Sequence, residues 1–352
     1  MRWLTTLILS VSVSLSGYAP SYAQEVFEES RGFYSTRRLR DAVPVGTENK
    51  LIIRSALTLQ GTIHITAAGG NEVAISYVKK SNTDSRSKAI DFIDLIAVHL
   101  ARSPQGVKLE LRAPNPAPWT GSEIGLVEAE LIVPENLIIE VEAPYFDLSA
   151  EGPFEAFIVP SSMGKLEISN VTKQLKLETA NRRVSIKKIT GDISVSTSNS
   201  LLLAKEISSA KKRAYFQNDG GDIEIDGFEG EISIKNNYGR IEVTNFEPHA
   251  GRSVIRGFSG PIFVDITNIK DGKVVISNRY EDIEIEIPAN LSARLSLAVE
   301  EGGKIEAGTF PFKTDLVRPN RLNLVAGDGE AFISASIRGK GNIYLRAWEE
   351  GD

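Results

Sequence analysis

From Leu51 onward the chain is written in short runs that alternate apolar and polar residues, the period of a half-buried β-strand. Leu51–Ile53, Gly61–Ile65 and Val73–Tyr77 read this way, with Gly69, Gly70 and Asn71 as a turn between the last two. One stretch departs from the pattern. Ala89, Ile93, Ile96 and Leu100 fall at helical spacing, and Pro104 ends the run. This predicts a helix over about 85–101, carrying His99 and packed by its apolar stripe on a sheet. Strands follow at Val107–Leu111, Gly125–Val133 and Leu137–Val141. Residues 24–49 show no such alternation and read as irregular, with Arg37, Arg38 and Arg40 in a solvated basic cluster.

Beyond Gly152 the chain repeats itself. The units are GKLEISN at 164–170, RRVSI at 182–186, GDIEIDG at 221–227 and GRIEVTN at 239–245. Their first apolar residues are Leu166, Val184, Ile223 and Ile241, and Leu201 or Leu202 fills the gap between the second and third. Second strands lie between them, at Leu175–Leu177, Ile193–Val195, Tyr215–Phe216 and Ile232–Ile234. Asn181, Asn199, Asn218 and Asn237 recur at the corners, where Asn and Gly tolerate a left-handed backbone. One such turn cannot bury its apolar row; stacking turns about 4.8 Å apart buries it and pairs every strand. The expected fold class is therefore all-β, a β-solenoid of about 18–20-residue two-strand turns. An N-terminal β region at 50–150, bearing the one short helix, leads into a repeat domain at 151–347. The pattern weakens at Pro248–Gly251 and Lys270–Gly272, then resumes at Lys273–Ile276, Asp282–Ile287 and Lys304–Glu306. Ala331–Ile337 and Gly341–Leu345 read as closing strands, with Arg338, Lys340, Arg346 and the acidic terminus shielding the open edge. Leu201–Gly220 is degenerate, and charged residues interrupt it.

The repeated GDIEI and GRIEV units, the Ile283–Pro288 segment (IEIEIP) and the closing Gly341–Leu345 (GNIYL) are similar to the DUF4097 β-strand-repeat family of bacteria, which carries an adhesin label. The resemblance covers roughly residues 50–347. It implies a β-solenoid in an exported or envelope-associated protein. It implies no catalytic residues, so none is carried over.

The first residues change the picture of compartment. Met1 and Arg2 form a short positive start, Trp3–Ser16 is apolar, and Ser21-Tyr22-Ala23 places small residues where a signal peptidase reads. A secretory signal over residues 1–23 is expected, cut after Ala23. The mature chain, 24–352, would be periplasmic, at the cell surface or extracellular, with no membrane span after signal removal. Composition excludes more than it assigns. The 352 residues contain no Cys, so disulfides, thiolate metal sites and cysteine nucleophiles are excluded. Three scattered histidines, His64, His99 and His249, leave little for histidine-based catalysis. A net charge of −6 argues against a nucleic-acid partner.

Two groups of residues are candidates for chemistry. Asn218, Asp219, Asp222 and Asp226 gather oxygens at a glycine turn that could hold calcium, although the spacing matches no calcium loop; the alternative is a solvated corner that uses Gly and Asp for turn geometry. Glu167, Glu224, Glu242, Glu284 and Glu306 each occupy the centre of an apolar-x-apolar triplet. They would form an outward column, either a cation- or glycan-facing wall or an ordinary polar strand face, with Lys165, Arg183, Arg240 and Lys304 offsetting the repulsion. Phe228, Tyr238, Phe246, Phe258, Phe263 and Tyr280 cluster in the second half, either an exposed platform for sugars or core; the 18-residue spacing of Phe228 and Phe246 favours a stacked core column. No nucleophile elbow, phosphate loop or zinc-protease motif occurs. No cofactor is expected. The function read from this pattern is a non-catalytic scaffold or adhesin-like surface for proteins or glycans. The alternatives are a polysaccharide lyase or glycosidase on a β-helix, and an envelope assembly or signalling accessory with a protein partner.

Overall fold

The computed structural model describes residues 25–209, 212–249, 251–269, 271–308 and 313–348. The expected signal segment and the acidic terminus 349–352 lie outside them. Alternation along the chain produces a stack of rungs, each contributing one strand to each of two facing walls. In the first wall, Leu166 pairs in parallel with Val184, Val184 with Leu202, Leu202 with Ile223, and Ile223 with Ile241. The column continues through Ile262 and Ile283 to Ile343. In the second wall, Leu177, Val195, Phe216, Ile234, Ile255 and Ile276 form the matching column. These side chains are buried and meet in one continuous apolar core between the walls. The degenerate unit does not interrupt the stack: Leu202–Ser208 and Ala214–Asn218 each pair with the rung on either side.

The chain turns within each rung at a recurrent left-handed residue. Asn170, Lys188, Glu206, Gly227 and Asn245 all have φ between 51° and 76°. The asparagines read as one recurrent corner belong to two columns. Asn181 and Asn199 are left-handed corner residues, and Asn199 donates to Asn181 across a rung. Asn218 instead stacks on Asn236, and both point inward and are buried. Asn218 Nδ2 donates to the carbonyls of Ser200 at 2.7 Å and Gly221 at 3.0 Å, stapling its own corner to the preceding one.

Three local expectations are corrected by the structure. The helix is shorter, Arg86–Asp94, with Ser85 capping its N-terminus and Leu95 its C-terminus. Lys79 reaches from a neighbouring strand to donate to the carbonyls of Ile93 and Ile96, both at 2.9 Å, which ties the helix end to the sheet. Ala97–Ser103, including His99, is a strand antiparallel to Gly106–Arg112. Apolar residues at helical spacing there include Leu100, whose burial comes from the hairpin instead. Residues 24–49 are not irregular: Val26–Ser30, Phe33–Thr36 and Leu39–Pro44 form antiparallel strands. Their inner faces are too sparsely apolar to show alternation.

The third correction concerns the ends. The stack begins before residue 151, because Lys50–Ser55 and Gln60–Ala68 already form a rung between two others. At the other end, Ala331–Ile337 lies between Lys273–Asn278 and Ala293–Val299. Ile343–Trp348 likewise lies between Ile283–Pro288 and Ile305–Ala307. The last strands in sequence therefore fill a rung position that the chain skipped, and do not close the stack. The outer cover is the antiparallel pair Lys313–Arg318 and Arg321–Ala326, laid on Ala293–Val299. No helix among the described residues is long and apolar enough to cross a membrane.

Candidate functional site

Register decides which side chains the walls present. The five glutamates do fall in one outward column of the first wall, but other residues separate most of them. From Glu167 the column runs through Ser185, Leu203, Glu224, Glu242, Phe263, Glu284 and Tyr344. Glu306 stands beyond Tyr344. Glu224 and Glu242 alone among the five are on adjacent rungs. Basic partners answer three of them: Lys165 meets Glu167 at 2.6 Å, Arg240 meets Glu242 at 2.5 Å, and Arg346 meets Glu284 at 3.0 Å. The first two were legible as flanking residues; Arg346 arrives through the inserted rung.

Two residues along the same wall, Asp265, Glu286 and Arg346 form a further column. Burial, with the charges of Glu284 and Asp265, raises the Glu286 carboxyl above its ordinary range, and Arg346 only partly counters this.

The four calcium candidates are held by different protein donors. Asn218 is turned inward to carbonyls. Asp219 accepts from the Asn237 amide. Asp222 accepts from the backbone N–H of Arg240 at 2.8 Å. Asp226 accepts from Asn245 at 2.8 Å and faces Lys205 at 3.6 Å; the Asn245 hydrogen bond is the main cause of its lowered pKa. The three aspartate carboxylates each tie one rung to the next by accepting, whereas Asn218 does so by donating, its own oxygen accepting from the Gly220 backbone N–H within the corner.

Carboxylates also line a shallow groove of about 360 Å³, where Glu206, Glu229 and Glu247 lie on successive rungs at the left-handed corner. His249 meets Glu229 there at 3.1 Å.

Phe228 and Phe246 are core, fully buried with ring centroids 6.0 Å apart. Other aromatics of the same half are not. Tyr238, Phe258 and Tyr280 stand at the far corner of the second wall on successive rungs, edge to face at 6.1 and 5.5 Å. Tyr238 is 58% exposed and Tyr280 39%. Arg279 lies against both Phe258 and Tyr280, 5.2 and 5.4 Å from the ring centroids. The sequence pattern gathers these rings with Phe228 and Phe246 and favours the core for them; the structure bears that out for Phe228 and Phe246 and corrects it for Tyr238 and Tyr280, which are exposed. Rung length varies along the stack: Leu202 pairs with Ile223 and Ser233 with Val254, each 21 residues on, whereas Ile223 pairs with Ile241, 18 residues on. The usable signal was an arginine just before an aromatic, at Arg256–Phe258 and again at Arg279–Tyr280.

No family model and no curated protein matches the chain. Among solved structures, it is similar to a "putative adhesin" from Bacteroides fragilis, at 12% identity and a TM-score of 0.30, over 88% of this chain and 97% of that one. It is also similar to a "putative cell adhesion protein" from Clostridium sporogenes, at 10% identity and a TM-score of 0.21, over 89% and 100%. A "putative adhesin" from Parabacteroides distasonis matches at 9% identity and a TM-score of 0.25, over 88% and 97%. Scores this low extend no function to this chain.

Proposed function

We propose that the protein is a non-catalytic, exported scaffold that presents an extended rigid wall to proteins or glycans of the cell envelope. The observation that carries this reading is the continuous parallel pairing of both walls, with only local bulges, from the rung at 50–68 to the inserted rung at 331–348. Such a stack fixes exposed columns at regular spacing, so affinity comes from many contacts over a broad face. The signal pattern of residues 1–23 supports export, and the repeated GDIEI-type units support membership of the DUF4097 family with its adhesin label. Fold by itself assigns no function, and the groove at Glu206, Glu229 and Glu247 is where a carbohydrate-cleaving alternative would act.

The test is an array of envelope and matrix polysaccharides and envelope proteins, incubated with residues 24–352 and read for both retention and turnover. Retention with no new reducing ends or unsaturated products is expected. Product release that is lost in the Glu229→Gln or Glu247→Gln variant would overturn the scaffold reading in favour of an enzyme.

A further inference from the structure

Beside the exposed aromatic ladder lies an open groove of about 570 Å³ on the second wall. Its floor is made of small residues, Ser277 and Ser336, which stack in register next to Arg256. Arg256, Arg279 and Arg338 rise around it, all exposed, and no carboxylate lines it. The chain as a whole carries a net charge of −6, and many of its cations elsewhere are matched. Lys165, Arg240, Lys205, Lys212, Arg213 and Arg346 each meet an Asp or Glu within 4 Å. The three groove arginines form no ion pair among the described residues.

The fold builds this arrangement from distant parts of the sequence. Asn278 is buried and donates to the carbonyls of Gly260 at 2.9 Å and Glu281 at 3.3 Å, while its Oδ1 accepts from the backbone N–H of Arg279. That fixes the corner from which Arg279 and Tyr280 project. Arg279 is then held between two ring faces, so its guanidinium is oriented without being neutralised. Arg338 arrives only because the last rung inserts beside Lys273–Asn278, and its backbone N–H donates to the Asn278 carbonyl.

Guanidinium groups present paired donors that match a carboxylate, and exposed ring faces stack flat apolar surfaces such as those of pyranose rings. The ladder covers three rungs, a length of about 10 Å at strand spacing. We propose that this groove binds an acidic polysaccharide, its carboxylates meeting Arg256, Arg279 and Arg338 and its sugar rings lying along Phe258 and Tyr280. The proposal rests on the reading of the walls as binding surfaces and names the ligand class of one of them.

Binding of residues 24–352 to polygalacturonate, neutral galactan and single-stranded oligo-dT tests it, by affinity electrophoresis and calorimetry. Retention on polygalacturonate and not on galactan is expected. The Arg256→Gln/Arg279→Gln double variant should bind about 10-fold more weakly or worse, and Tyr280→Ala should weaken binding also. The Lys187→Gln/Lys205→Gln control, on the other wall and with the same charge change, should bind as the parent does. Circular dichroism melts of all variants, expected to coincide with the parent, exclude unfolding as the cause. Oligo-dT bound as tightly as polygalacturonate would reduce the groove to a general polyanion contact and overturn the proposal. So would a double variant that binds like the parent, or a parent that ignores polygalacturonate. If the parent is retained instead by another polymer of the array and the arginine variants leave that unchanged, the wall reading stands and this groove assignment fails.

Discussion

Two glycines separate two causes of glycine dependence at corners. Gly239 has φ of 120°, and a Cβ built on it would overlap the backbone carbonyl of Gly221 on the neighbouring rung, which cannot move without breaking the stack. Gly227 also has positive φ, but a Cβ there meets only ordinary contacts, 3.6 Å from the Glu206 nitrogen. Gly239→Ala should therefore cost about 3 kcal/mol, and Gly227→Ala about 1 kcal/mol, by urea unfolding. Asn218→Ala removes the side-chain donor to the Ser200 carbonyl and one of two to the Gly221 carbonyl, the other being Asn236; a loss of about 2 kcal/mol is expected in the same assay. Glu286 supplies a pH test. Its raised pKa means that the folded state holds the proton more tightly than the unfolded chain, so the ionised form weakens folding at neutral pH. That penalty fades as pH falls through the raised value toward the ordinary glutamate range. Glu286→Gln should raise the melting temperature at pH 7, with the gain shrinking as pH falls toward about 4.5 and gone below it; a gain that grows in acid would contradict the assignment. At this scale the sequence was legible wherever alternation and register agree, as with the Glu column. It was not legible where identical residues serve different columns, as with Asn199 and Asn218, because a one-residue offset turns a side chain from the corner to the core.

At the scale of elements, the rung order near the C-terminus departs from chain order. Strand type was readable in Ala331–Ile337 and Ile343–Trp348, since alternation is local. Their place was not, because which rung a strand joins depends on pairing partners that all share the same apolar-x-apolar pattern. The absence of native cysteine makes the order directly measurable. Glu284 is the register partner of Tyr344, whereas Glu306 stands one rung further out. Adjacent parallel strands place Cα atoms about 4.8 Å apart, within disulfide range, and two rungs place them near 9.6 Å, beyond it. The Glu284→Cys/Tyr344→Cys pair should form a disulfide under mild oxidation, read by gel mobility, and Glu284→Cys/Glu306→Cys should not. Rapid bonding of the second pair would mean that the rungs follow sequence order. The shortened helix illustrates the same limit: Leu100 fits a helical stripe, yet the hairpin of Ala97–Ser103 with Gly106–Arg112 buries it equally well.

For the whole molecule, the proposed binding role depends on the walls being one continuous rigid surface through the degenerate unit at 201–220 and the lengthened rungs after Glu247. The acidic-polysaccharide groove depends on it too, because its arginines come from three rungs joined only by this stacking. Continuity can be measured across the region where the repeat is least regular. Spin labels at Glu167→Cys and Glu284→Cys lie in one outward column, separated through Ser185, Leu203, Glu224, Glu242 and Phe263. Six rung spacings correspond to a Cα separation of about 29 Å. Pulsed electron–electron double resonance on the doubly labelled protein should give a single narrow distance distribution around that value. A broad or bimodal distribution, or a mean longer by about 10 Å, or two spacings, would show a break in the stack and contradict the rigid wall on which the functional reading stands.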